Sequence, residues 1–235
     1  AYIETPARVD DFDRLTDVEK KGIRLKNKNI VVKNRQIDGQ RSVMVQDLRV
    51  AKELMDYDQF YLPHNFCHRG RIYPIPHFSH HRDEHIKAMF EFANEKKVDK
   101  DSFYWIAIQV ANTGDFDKVS KKPMLDRIKW VNDNAEMIIE VAQDYKSTYD
   151  YWSKADKPFC FLAACQAYFK YLVEGEGSTS GLPISLDGSN SGIQHYSAAS
   201  LQEHDGALVN LVPNHIPQDV YQEVANAVAH EFASS

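Results

Sequence analysis

A helix that is apolar on most of its sides has to lie in the interior of whatever fold contains it. Residues 158–173, PFCFLAACQAYFKYLV, make such a segment. Pro158 suits a first helical turn, where its missing N–H is not needed, and apolar or aromatic side chains follow on nearly every face. A chain of 235 residues is long enough to bury that helix in one large domain or two small ones. No apolar run approaches the length needed to span a bilayer, and the first residues, AYIETPARVD, have neither the basic nor the apolar part of a signal peptide. The 3 cysteines (Cys67, Cys160, Cys165) are odd in number and form no CxxC pair, which argues against a disulfide framework or a zinc site. A cytoplasmic protein, without membrane association, is expected.

Around the central helix the spacing predicts further helices. Val45, Leu48, Ala51 and Met55 share one face in the stretch after Ser42. Ile86, Met89 and Phe90 do so in Glu84–Asn94, and Asp101 reads as the N-cap of an aromatic-rich helix reaching about Asn112. Pro123 opens a long amphipathic stretch through Gln143, Gly192–Leu201 reads as helical, and Asp219–Phe232 as a final amphipathic helix. FYLPHNF and RGRIYPIP read as extended, because Pro63, Pro74 and Pro76 disfavour helix. LPISLD reads as a short strand, and in the weakly periodic residues 1–41 the runs LKNKNIVVK and NRQIDGQ suit a strand and a turn. The expected class is α+β and helix-rich.

The net charge of -6 lowers the expectation of a protein that binds nucleic acid unaided. Phosphate affinity, however, depends on local patches. Basic residues cluster at Lys20, Lys21, Arg24, Lys26 and Lys28, at Arg69 and Arg71, and at Lys118, Lys121 and Lys122.

One window carries chemistry. In Leu182–His195, LPISLDGSNSGIQH, an apolar segment delivers Asp187 at its end before Gly and Ser turn the chain into a helix. A carboxylate held there suits a hard, oxygen-seeking cation such as Mg²⁺, and Gly188 lets its carbonyl approach the same ion. On spacing alone a simple turn is the commoner reading.

The run ISLDGSNSGIQHYSA closely resembles the first catalytic motif of the single-subunit RNA polymerases of phages and mitochondria. The resemblance implies that Asp187 is a catalytic, metal-binding aspartate and that the Gly188 carbonyl binds one of two Mg²⁺ ions. Gly192 falls near the position where related DNA polymerases carry a bulky acid that blocks a ribose 2′-hydroxyl, so its openness implies ribonucleotides. FYLPHNFCHRGRIYPIP resembles a segment near template and hybrid, with Arg69 and Arg71 as its nucleic-acid-binding residues. Here the chain has Cys67 where many members have an aspartate, which removes any role of that acid. Lys87 falls near a lysine that approaches the hybrid. Lys118, in GDFDKV, falls near one close to the nucleotide triphosphate, and Tyr221 falls on a tyrosine near the nucleotide site. DSFYWIAIQVAN, RIKW, KPFCFLA, VNLVPN and QDVY match in the same order, so the likeness runs from about Ser42 to Phe232. As bare residues these lysines and arginines would more often be solvated surface charges, and Phe103, Tyr104 and Trp105 read as core.

Fold and function expectations follow from the resemblance: the first part of the palm and the start of the fingers of a right-hand polymerase. Residues 1–41 would be an N-terminal extension (a thumb remnant or a partner-binding segment), 42–205 the palm-type domain, and 206–235 the beginning of the fingers. His204-Asp205 is the only His-Asp dipeptide and is out of register with the second catalytic motif, and no Tyr-Gly dipeptide occurs. His77, His80, His81 and His85 lie where the family has a variable loop and are not read as zinc ligands. The implied activity is DNA-directed RNA synthesis with a second polypeptide supplying the other aspartate and the nucleotide-gripping helix, as in the smaller chain of a two-subunit phage polymerase. A portion of one longer product also fits the sequence, and the two-polypeptide reading is the favoured one. DNA template, RNA product, ribonucleoside triphosphates and a promoter-recognition or DNA-opening factor are the implied partners, in host cytoplasm if phage-encoded. The rival readings are a catalytically inactive nucleic-acid-binding scaffold and a DNA polymerase of the same superfamily.

Overall fold

A computed structural model describes residues 12–233 together with Pro6 and Val9. The chain divides into two compact units, one comprising the residues up to 65 with 75–78 and the other 66–74 with 79 onward.

The first unit is dominated by one helix, α1 (Asp17–Leu54). Thr16 starts it with a reciprocal cap: its hydroxyl accepts from the Glu19 N–H at 3.4 Å, and the Glu19 carboxylate accepts from the Thr16 N–H at 2.9 Å. The strand and turn expected over LKNKNIVVK and NRQIDGQ are therefore absent, and the boundary expected at residue 42 falls inside this helix. Ile30-Val31-Val32 favours extended backbone locally, but Ile23, Ile30 and Ile37 recur on one helical face with Ile30 buried. The strong cap and the many Lys, Arg and Gln residues carry the helix through that stretch.

Two short strands, β1 (His64–Phe66) and β2 (Ile72–Pro74), follow as a hairpin. In the second unit α2 (Glu84–Lys87) is shorter than the Glu84–Asn94 helix expected. The chain instead turns extended, because the Phe92 N–H donates to the Gly181 carbonyl at 2.8 Å and β3 (Lys96–Lys97) pairs antiparallel with β4 (Thr179–Ser180). Helix α3 (Lys100–Gly114) is capped by Asp99, not Asp101: the Asp99 carboxylate accepts from the Ser102 N–H at 2.8 Å and from its hydroxyl at 2.6 Å. The single helix expected from Pro123 to Gln143 is broken into α4 (Met124–Asp133) and α5 (Ala135–Gln143). Asn134 sits between them with its side chain donating to the Trp130 carbonyl at 2.7 Å, a local bond that competes with helix continuation.

A short helix α6 (Tyr149–Trp152) leads into α7 (Pro158–Glu174), the apolar helix from which the sequence argument began. It packs against α2, α3, α5 and α6. Phe161, Ala164 and Cys165 are fully buried, and the Phe161 ring meets Phe116 edge-on at 5.7 Å. Gly114 must be small here, since a Cβ would stand 3.0 Å from the Phe161 ring. Phe103 on α3 stacks on Tyr168 and Tyr171 at 4.9 and 4.1 Å. Glu84 reaches across to the start of α7, where its carboxylate accepts from the Phe159 and Cys160 N–H groups at 3.0 and 3.2 Å. After β4 come α8 (Ser191–Ser200), α9 (Glu203–Leu208) and α10 (Val220–Ala233). Among the described residues no helix is long and apolar enough to cross a membrane.

Phe161→Ala would remove the centre of this packing and leave a cavity. It should destabilise the protein by about 3–5 kcal/mol, read from urea unfolding followed by circular dichroism.

Candidate active site

Residues 182–187, expected as a strand, form no regular secondary structure and join no sheet ladder. They are held by other means. Leu182 and Ile184 pack against the core cluster of the second unit. Gly181 is buried so tightly that a Cβ would stand 2.5 Å from the Phe92 carbonyl oxygen, which leaves glycine as the one residue that fits. Between the inward side chains, the Gln109 amide on α3 supplies what a neighbouring strand would: its Nε2 donates to the Pro183 carbonyl at 3.5 Å, and its Oε1 accepts from the Ser185 N–H at 3.3 Å. Gln109 is 6% exposed, in a run of buried apolar residues from Ile106 to Ala111. Lys87 Nζ donates to the Ser185 hydroxyl at 3.0 Å.

Beyond Ile184 the chain emerges into solvent, and Leu186, Asp187, Gly188 and Ser189 are exposed. The far side is tied down as well. The Asn190 carboxamide caps α8 by accepting from the Ile193 N–H at 3.1 Å, and its Nδ2 donates to the Tyr221 hydroxyl at 3.3 Å. Asn210, in left-handed backbone at φ 57°, donates to the Ser189 hydroxyl at 2.6 Å and to the Gln218 carbonyl at 2.8 Å, and accepts from the Gln218 N–H at 2.7 Å. Gln194 Nε2 donates to the buried Val209 carbonyl at 2.8 Å, while its Oε1 lies 3.0 Å from where a Cβ on Gly188 would be.

The Asp187 carboxylate has no hydrogen bond or ion pair among the described residues. An exposed, unengaged carboxylate on a braced backbone, beside a carbonyl that no side chain screens, fits a hard divalent cation. Among the described residues no group of three or more His, Cys, Asp or Glu is placed to hold a metal ion. A Cβ on Gly192 would meet nothing closer than the Asn190 Oδ1 at 3.5 Å, an ordinary contact, so nothing within the chain requires glycine there.

Comparison with known proteins gives the family. The family described as DNA-dependent RNA polymerase matches residues 96–235. The DNA-directed RNA polymerase of Enterobacteria phage K11 is 33% identical over 233 residues, 98% of this chain and 25% of the relative. The chain belongs to the single-subunit, phage-type RNA polymerase family. T7 RNA polymerase of Escherichia phage T7 is 35% identical over 181 residues, covering 77% of this chain and 20% of its own length. The mitochondrial DNA-directed RNA polymerase of Mus musculus is 32% identical over 226 residues, or 95% of this chain and 18% of that one. The chain thus spans a quarter or less of each of these polymerases.

Of the residues that the family resemblance singled out, Asp187, Gly188 and Gly192 share one segment, with Lys87 bonded to its approach and Tyr221 to its far side. Tyr221 is 68% exposed. Lys118 lies on the turn after α3, with its side chain 80% exposed and 3.7 Å from the Asp115 carboxylate. Burial pushes the Asp115 carboxyl up, but hydrogen bonds from Ser120 and the charges of Lys118 and Lys121 outweigh it and hold the group below the usual carboxylate range. Asp115, Asp117 and Lys118 all adopt left-handed backbone, a strained approach for non-glycine residues. Arg69 and Arg71 sit at the hairpin turn, where Arg69 donates to the Tyr73 hydroxyl at 3.3 Å. Among the described residues no bond joins either arginine or Lys118 to the Asp187 segment. Sequence reasoning missed Gln109 and Asn210; the available signal for Gln109 was a lone polar residue inside IAIQVA.

The hairpin also sets thiol chemistry. At Cys67 burial pushes the pKa up, but the Arg71 and Arg69 N–H groups and both guanidinium groups outweigh it and hold the thiol below its ordinary value. Burial raises Cys160 and Cys165. Iodoacetamide at neutral pH should alkylate Cys67 at least about tenfold faster than the other two, measured by mass spectrometry of the folded protein.

Proposed function

We propose that this chain is the front part of the catalytic core of a DNA-directed RNA polymerase, with Asp187 as one of two metal-binding aspartates. The observation that carries this reading is the unengaged Asp187 carboxylate, delivered on a braced segment within the polymerase motif. The second unit would then be palm up to residue 205 and the start of the fingers from 206, while the first unit, with α1, would be a thumb remnant or a partner-binding segment. The other aspartate and the nucleotide-gripping helix would lie outside residues 1–235.

A pair of Mg²⁺ ions, when bound, lowers the pKa of the RNA 3′-hydroxyl and neutralises the leaving pyrophosphate. The chain's own residues do the holding and positioning. Asp187 and the Gly188 carbonyl offer hard oxygen ligands. Gly192, with open space around it, leaves room for a ribose 2′-hydroxyl, which favours ribonucleotides over the substrates of a DNA polymerase. Tyr221 presents its ring at the start of α10, beside the same segment, toward nucleotide. Lys87, Arg69 and Arg71 offer positive charge to the template–RNA hybrid, and Lys118 offers it to the triphosphate. DNA template, RNA product and ribonucleoside triphosphates are the partners this requires.

A catalytically inactive scaffold is the second reading, favoured by the absence, among the described residues, of any group of three or more metal-ligating side chains. The two separate on Asp187→Asn in the polymerase assembled with the polypeptide bearing the second aspartate. Loss of several kcal/mol of transition-state stabilisation should cut runoff synthesis by about a thousandfold or more, with little change in template binding. Unchanged synthesis would remove Asp187 from the chemistry. The chain alone in Mg²⁺ should make no runoff product.

A further inference from the structure

The segment bearing Asp187 lacks the support that a strand normally has. No ladder pairs its backbone at 183–185, and Pro183 has no N–H, so the Pro183 carbonyl and the Ser185 N–H depend on side chains or solvent for partners. Gln109 pairs both, from a buried position on the rigid helix α3, at 3.5 and 3.3 Å. The other tie to this stretch, Lys87 to the Ser185 hydroxyl, joins two side chains near solvent, and a long ammonium stem of that kind holds position poorly. Leu182 and Ile184 bury apolar surface but set no register along the chain, whereas a two-point amide bond does.

We propose that Gln109 is the positioning residue for Asp187: its carboxamide fixes the backbone at Pro183 and Ser185 and thereby the place of the carboxylate. This rests on the metal-binding reading of Asp187. Gln109 itself touches neither metal nor nucleotide. It acts through three residues of backbone, as outer-shell groups do when they hold a ligand ready.

The test uses Mn²⁺ as a paramagnetic probe on the full chain, followed by amide NMR. In the native protein, substoichiometric Mn²⁺ should broaden signals centred on residues 187–189, and Asp187→Asn should abolish this. Gln109→Met keeps the side-chain volume and removes both hydrogen bonds. It should leave a folded spectrum, yet weaken the Mn²⁺ affinity at 187–189 by ~10-fold. Ile138→Val, a change in the same core away from the segment, should leave Mn²⁺ affinity as in the native chain. If Gln109→Met does not fold, Gln109→Glu, which keeps the acceptor for Ser185 and loses the donor to Pro183, should show the weakened affinity instead. Native Mn²⁺ affinity in a folded Gln109 variant, or an equal loss in Ile138→Val, would overturn the positioning role. Absence of Asp187-dependent broadening in the native chain would overturn the metal reading first, and the role of Gln109 with it.

Discussion

The site depends on a side-chain amide doing the work of a β-strand neighbour. Asp187, the proposed metal ligand, is exposed, and exposure deprives its backbone of packing. Here the conflict is resolved within a few residues. Leu182 and Ile184 are anchored in the core, Gln109 pairs the backbone between and beside them, and Asp187 emerges into solvent just beyond. Gln109 can do this because α3 is itself fixed by α7, through the stacking of Phe103 on Tyr168 and Tyr171. The apolar helix at the centre is thus linked to the charged residue at the surface by a short chain of contacts.

On the other side of Asp187 the ties are again carboxamides. Asn190 links the first turn of α8 to Tyr221, Gln194 reaches the Val209 carbonyl, and Asn210 joins Ser189 to Gln218. Each has a donor and an acceptor and carries no charge, so the bracing adds no field that would compete with a cation for Asp187. The start of α10 is held to the motif in this way, although its helix exposes Tyr221, Val224, Val228 and Phe232.

Much of this was legible in the sequence. The all-round apolar pattern of residues 158–173 gave a buried helix, and the Asp-Gly-Ser run before Gly-Ile-Gln-His gave both the family and the place of Asp187. What was not legible has specific physical reasons. The stretch LKNKNIVVK has strand-like residues, but a capping box at Thr16 and a seven-residue recurrence of isoleucine decide for helix. Asn134 breaks a continuous amphipathic pattern through its own side chain. LPISLD has the composition of a strand, yet its backbone is partnered by a side chain 76 positions earlier in the chain. Gln109 could be noticed as a polar residue in an apolar run, but its partners could not be read from its neighbours.

The central claim is that Asp187 is half of a catalytic pair whose other half is carried elsewhere. The most direct measurement is the native mass of the protein purified from its natural source, with sequencing of whatever travels with it. The account predicts an assembly well above the 27.0 kDa of this chain, containing a polypeptide with a His-Asp motif and a Tyr-Gly helix. A solitary species of 27.0 kDa that carries no second aspartate motif would contradict it.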